Sequence, residues 1–241
     1  MPERMDLLRH GATELGLDLT GPQLDQFERY YWELADWNQR MNLTSITEYE
    51  DVQVKHFLDS LTCCLTCSCA MPPGYRVIDL GAGAGFPGLP LKLVFPQLAL
   101  TLVDSVGKKT GFLRHLVESL EITGVEILTG RAEELAHRED LRERFDLALA
   151  RGLARMPVLL EYALPFCRTG GRVVAWKHGG IQQELASAER ALEALGGRYA
   201  ATHPVTITGL TDNRILVVVE KVRSTPLAFP RRPGMPAKQP I

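Results

Sequence analysis

The 241-residue chain has no run approaching the roughly 18 uninterrupted apolar residues of a membrane helix. Residues 1–10 also lack the apolar segment of a secretory leader. The expectation is a cytoplasmic protein with no membrane contact. An excess of one charge is missing too: 27 Lys and Arg stand against 29 Asp and Glu, so no global field advertises a polyanionic partner. The balance is local, however. Residues 221–241 carry five basic side chains and no acid, which leaves 22 basic against 29 acidic in the rest. Cysteine is sparse, with five in all, and Cys63, Cys64, Cys67 and Cys69 are clustered. Cys64-x-x-Cys67 has a metal or redox spacing, but no second Cys or His pair follows at zinc-finger distance. Small soft side chains filling one helix face are the expected reading, with no metal.

What is present in quantity is glycine in one place. Val77-Ile78-Asp79-Leu80 is an apolar run that meets Gly81-Ala82-Gly83-Ala84-Gly85-Phe86-Pro87-Gly88, after which Leu89, Leu91 and Leu93 resume an apolar pattern. This reads as a buried strand, a tight turn and a helix whose first N–H groups form a polar cradle. Gly83 to Gly88 satisfies the dinucleotide fingerprint G-x-G-x-x-G, a weak signal alone. Asp79 discriminates. A carboxylate there would repel a pyrophosphate but would suit a ligand with an α-ammonium group, such as S-adenosylmethionine. Asp104 ends the alternating run 98–104, where an acid can accept hydrogen bonds from ribose hydroxyls of either cofactor.

The first seventy residues read as helices. Leu24, Phe27, Tyr31, Leu34, Trp37 and Met41 make one apolar stripe at helical spacing, expected to be core, with Thr20 and Pro22 as start signals. Thr47-x-x-Glu50 predicts a capping box opening a helix through Val54, Phe57, Leu58 and Leu61. Met71-Pro72-Pro73-Gly74 predicts the join to an α/β domain. Beyond it, strands are expected at 77–80, 98–104, 125–128, 145–150 and 172–177, with helices at 106–120 and 181–195. An antiparallel pair is expected at 199–208 and 215–219. Alternation of this kind means a mostly parallel sheet covered on both faces, with ligands beyond the strands' carboxyl ends. Asp79, Asp104, Ala132-Glu133 and Arg151 all fall at such ends.

The loop 77–88 resembles that of class I S-adenosylmethionine-dependent methyltransferases. An ordered set of further segments is similar to one family, the small-subunit ribosomal RNA guanine-N7 methyltransferases (RsmG, or GidB-like). These are Trp37-Asn38 with Asn42-Leu43-Thr44, Lys55-His56-Phe57-Leu58-Asp59-Ser60, Asp104 to Lys109, Gly130-Arg131-Ala132-Glu133, Arg151-Gly152-Leu153-Ala154 and Pro230 to Lys238. Gly152 departs from the alanine of many relatives. The resemblance implies an α/β, Rossmann-like class I methyltransferase fold with a seven-stranded, mostly parallel sheet and an N-terminal helical extension. Its divisions are 1–73 (helical extension), 74–223 (methyltransferase domain) and 224–241 (basic, proline-rich arm). It implies a monomer using S-adenosyl-L-methionine on 16S ribosomal RNA or the small ribosomal subunit, with Gly81, Phe86, Ala132, Glu133 and Arg151 at the cofactor beside Asp79 and Asp104.

Guanine N7 has a free lone pair, so no general base is expected, in keeping with the lack of an obvious catalytic dyad. The target guanine must be splayed out, because the N7 edge of A-form RNA lies in a groove side chains cannot enter. Arg151, Lys177, His178 and Arg214 are candidates for the mouth of that site, with Arg231, Arg232 and Lys238 reaching outward to phosphates; ordinary solvated charge is the plain reading of each. Two alternatives stay open. One is a nicotinamide-dependent oxidoreductase using the same loop; the other is a non-catalytic ribosomal RNA-binding protein.

Overall fold

Residues 5–66 and 71–241 are described by the structure, a computed structural model. Cys67 and Cys69 lie outside the described residues, whereas Cys63 and Cys64 are buried. Helices α1 (Asp6–Glu14) and α2 (Gly21–Met41) lead into α3 (Tyr49–Val52), a π-helical turn (Gln53–Leu58), α4 (Asp59–Leu61) and a 3-10 turn (Thr62–Leu65). Strands β1 (Arg76–Leu80), β2 (Ala99–Asp104), β3 (Val125–Thr129) and β4 (Phe145–Arg151) are each followed by a helix: α5 (Gly88–Val94), α6 (Gly107–Ser119), α7 (Ala132–Leu135) and α8 (Met156–Ala163). Then come β5 (Cys167–His178), α9 (Ile181–Ala186), α10 (Glu189–Leu195), β6 (Gly197–Pro204), β7 (Arg214–Lys221) and α11 (Met235–Lys238).

The seven strands form one sheet in the order β3-β2-β1-β4-β5-β7-β6. Strand β7 is antiparallel to β5 and β6, and the other pairs are parallel. The order reverses direction between β1 and β4. Such a reversal opens a crevice at the carboxyl ends of the two strands, the usual ligand site of an open α/β sheet.

The aromatic stripe of α2 is core. Phe27, Tyr30 and Leu34 are buried, and Leu24, Tyr31, Trp37 and Met41 pack half-buried against the same hydrophobic cluster. That cluster also takes in Leu89, Leu100 and Leu113 of the sheet and its helices, so the N-terminal helices share a core with the sheet. Tyr30 Oη donates to the carbonyl of Ala84 at 2.6 Å, which ties α2 directly to the glycine loop. Thr20 caps α2 in a reciprocal box with Gln23, and Gln23 Nε2 reaches on to the carbonyls of Leu93 and Val94. Thr20→Ala should cost about 1 kcal/mol in urea unfolding, because one helix-end donor loses its acceptor.

Several sequence expectations change. The predicted capping box at Thr47 and Glu50 is absent: Glu48 is the N-cap of α3, without a side-chain bond. The preceding loop is fixed instead by Thr44, whose N–H donates to Asn38 Oδ1 and whose Oγ1 accepts from Ile46 N–H. The helix it opens turns π over Gln53–Leu58, a local widening that often marks a functional site. The single helix expected over 181–195 is two, broken where Ser187 Oγ bonds back to the carbonyl of Glu184. The penultimate strand starts at Gly197 and ends at Pro204, short of Thr208.

Candidate active site

Two clefts open at the carboxyl edge of the sheet and meet at Gly152 and Leu153. The first, about 270 Å³, lies over β1, β2 and β3 and is lined by Gly81, Asp104, Lys109, Ala132, Glu133 and Tyr162, among others. The second, about 470 Å³, lies over β4, β5 and the start of β7, with Lys55 and His56 of the π-helical turn and Asp59 of α4 on its far wall.

The first cleft follows from the glycine loop. Gly81 has φ +71, and a Cβ built on it would meet Leu153 Cδ1 at 2.8 Å. The left-handed turn therefore favours glycine, and a Cβ there would also displace the Leu153 side chain opposite. Asp104 accepts from Gly83 N–H at 3.0 Å through one oxygen and from Val106 N–H at 2.9 Å through the other. Asp79 is fully buried, and its Oδ2 accepts from Gly88 N–H at 2.8 Å. A Cβ on Gly88 would come within 2.9 Å of that oxygen, so only glycine allows the contact. Asp79 Oδ1 has no partner among the described residues. Burial pushes this carboxyl up to about 7, against the opposing bond from Gly88. Asp79 itself lines neither cleft, so its orphaned oxygen lies beneath the glycine loop and not on the cleft wall. Ala132 and Glu133 line the first cleft, and Glu133 Oε1 accepts from Gly234 N–H of the C-terminal arm at 3.0 Å.

Phe86 does not line either cleft, which corrects its expected role as an apolar wall. Its ring is 5% exposed and stacks on His56 (centroids 4.4 Å apart) and Tyr30 (5.3 Å), because α2 and the π turn close over it. It serves instead as a platform for Arg151, whose Cζ sits 5.2 Å from the ring centre. Arg151 Nη1 donates to Asp59 Oδ2 (2.7 Å) and to the carbonyl of Lys55 (3.2 Å), and Nη2 donates to His56 Nδ1 (3.1 Å). Arg151 lines the second cleft and not the first.

His56 and Asp59 were legible only as members of the segment Lys55 to Ser60, without a role. Accepting from Arg151 at Nδ1 assigns the His56 proton to Nε2, which lies 2.8 Å from Thr44 Oγ1. Burial, with the charge of Arg151 next, pushes the ring down to about 3. It is a neutral structural imidazole at ordinary pH.

Of the other predicted residues, Lys177, His178 and Arg214 do line the second cleft. Lys177 is engaged, donating to the carbonyl of Ala154 (2.7 Å) and to Glu184 (2.5 Å). His178 is exposed, and Arg214 pairs with Asp59 and Asp212. Arg231 corrects the expectation that it reaches outward. Its guanidinium makes a two-pronged pair with Glu161 (2.6 and 2.9 Å), which is fully buried, so the attraction of an unpaired carboxylate outweighs solvation of the arginine. Arg232 and Lys238 are exposed and line neither cleft. Among the described residues, no three metal-ligating side chains cluster and no helix is long and apolar enough to cross a membrane.

Residues 23–209 match the family model GidB, described as rRNA small subunit methyltransferase G. The chain is 46% identical to the ribosomal RNA small subunit methyltransferase G of Dehalococcoides mccartyi (strain CBDB1), covering 98% of this chain and all of that one. It is 48% identical to the protein of that name from Roseiflexus castenholzii, with the same coverage. Among solved structures, MtNAS in complex with MTA and tNA superposes with a TM-score of 0.55 at 18% identity, over 91% of this chain and 76% of that one. TrmN from Thermus thermophilus superposes with a TM-score of 0.51 at 19% identity, over 69% and 49%. These two likenesses bear on the fold alone. The length and level of the sequence matches go further: this chain belongs to the rRNA small subunit methyltransferase G (GidB) family.

Proposed function

We propose that the chain is a cytoplasmic methyltransferase that uses S-adenosyl-L-methionine to methylate N7 of a guanine in 16S ribosomal RNA. The observation that carries this reading is the pair of joined clefts at the β1/β4 switch point, one suited to a nucleoside and the other lined by cations. Asp104 lines the first cleft where a ribose would lie, and Asp79, buried beneath the glycine loop, keeps an unpartnered oxygen for an ammonium group. Gly83 and Gly88 give their N–H groups to Asp104 and Asp79, groups a dinucleotide site would offer to a pyrophosphate. That favours S-adenosylmethionine over a nicotinamide cofactor.

When bound, the cofactor supplies a sulfonium methyl carbon open to direct displacement. The residues around it need only bind and align, since N7 attacks without losing a proton. The second cleft fits that demand: its one buried histidine, His56, is neutral and has both ring nitrogens engaged. Asp59 and Glu184 are the carboxylates that line this cleft, where a product guanine would be cationic. The direct test uses labelled S-adenosylmethionine and small subunits from cells lacking such an enzyme, followed by borohydride and aniline cleavage at N7-methylguanine. Label elsewhere than at a cleaved guanine would refute the reading.

A pH profile gives a second test. Single-turnover transfer at saturating cofactor should vary little between about pH 7 and 9, where a general base of ordinary histidine pKa, about 6.5, would already be deprotonated and a higher one would still titrate. His178→Gln should leave the profile between pH 5.5 and 7 unchanged. A limb there that disappears in the variant would point to an acceptor atom that must first lose a proton.

A further inference from the structure

The second cleft holds an ion network that alignment of a base alone does not require. Asp59 is fully buried at the end of the π turn, and a single oxygen, Oδ2, serves both Arg151 and Arg214. These arginines come from β4 and β7, with β5 between them. The Asp59 backbone is itself fixed, its carbonyl accepting from Trp176 Nε1 at 3.0 Å while Trp176 also bonds Thr62 Oγ1 at 3.2 Å. Arg214 is further steadied by Asp212, which accepts from its Nε at 2.8 and 3.0 Å.

Two guanidiniums on one oxygen repel each other and lose solvent, so the arrangement is costly unless their remaining donors are used. Each keeps some. Among the described residues Arg151 Nε and one Nη2 hydrogen take no partner, and neither does Arg214 Nη2. Both side chains are largely buried, 17% and 13% exposed, and both line the cleft, with Lys55 at its rim. Planar donor forks converging on one cavity match an anionic group with several acceptor oxygens in one plane or tetrahedron. Asp59 Oδ1, buried and without a partner among the described residues, adds negative charge that holds the two cations in place without consuming their donors.

We infer that Arg151 and Arg214, tethered together by Asp59, form a phosphodiester subsite that seats the RNA backbone beside the target nucleotide. Asp59 is a positioning residue for both. The inference rests on the reading that this cleft receives RNA, and it deepens that reading by naming the group bound. A phosphate held at the cleft would keep a splayed nucleotide from withdrawing, which the free base edge alone would not do.

Arg214 is the cleaner probe, since Arg151 sits nearer the junction of the clefts. Arg214→Gln should raise KM for small-subunit RNA about tenfold, the loss falling on KM rather than kcat. S-adenosylmethionine affinity by calorimetry should stay within twofold. The salt slope of RNA binding should fall by about 0.7, the value for one phosphate contact on a single strand. Arg214→Lys should recover part of the loss. An RNA with a neutral methylphosphonate next to the target should cost the wild type a similar factor and cost Arg214→Gln little more. Asp59→Asn should lose both contacts, and thermal melting shows whether it folds. An unchanged KM and slope in Arg214→Gln, equal loss of cofactor affinity, or additive losses from the variant and the methylphosphonate would each overturn the subsite. Failure of the wild type to label RNA would instead sink the function proposed above.

Discussion

Gly81→Val should abolish S-adenosylmethionine binding, with a loss of at least a hundredfold in calorimetric affinity. Two effects combine. At φ +71 a β-branched residue is sterically disfavoured, so the loop must leave its present course. A Cβ in that place also stands 2.8 Å from Leu153, the side chain shared by both clefts. Asp79→Ala should do the same by a different route, removing the buried acceptor that anchors Gly88 at the start of α5. Wild-type affinity in either variant would end the cofactor assignment.

Asp79 adds a signature in pH. Burial holds its carboxyl neutral up to about 7, against an ordinary 3.8. An ammonium group pairs with the ionised form, so binding below pH 7 should release a proton, and affinity should rise toward neutrality and then level off. Titration in two buffers of different ionisation enthalpy reads the proton directly. Stability of the free protein moves the other way. The raised carboxyl favours folding fully below about pH 4, and that contribution is lost as pH rises through 7. Asp79→Asn should remove both trends.

Arg231→Ala should destabilise the protein by about 3–5 kcal/mol, the cost of leaving a buried carboxylate without its partner. Glu161 is fully buried and accepts from the Arg231 backbone N–H at 2.8 Å as well as from its side chain. The effect should spread to the first cleft. The arm also donates Gly234 N–H to Glu133, and Pro230 takes a bond from His137 across the same face. Urea unfolding at constant m-value is the measurement. Glu161→Gln in the Arg231→Ala background should recover most of the loss, since an uncharged amide costs less to bury unpaired. A loss under 1 kcal/mol would mean that the pair is solvated and the arm loosely held.

The contrast between Arg231 and Arg232 shows why sequence alone misjudged this arm. Both sit in one basic, proline-rich stretch, and nothing local distinguishes them. Glu161, seventy residues earlier on α8, does so by burial. Phe86 failed in the same way. Its place in the glycine loop was legible, but the closing of α2 and the π turn over its ring depends on contacts 30 and 56 residues away.

The sequence by itself determined the alternation of strands and helices, the glycine loop with Asp79 and Asp104 at strand ends, and the core stripe of α2. Each is written in local periodicity or in the conformational needs of a few adjacent residues. Tertiary structure alone decided which charges face a ligand and which face each other. Asp59 joins arginines 92 and 155 positions away. The π turn that presents Asp59 is a matter of packing against α1 and the glycine loop, which no hydrophobic period records. Partnership between buried charges is set by distance in space, where removal from water makes an unpaired charge too costly to keep.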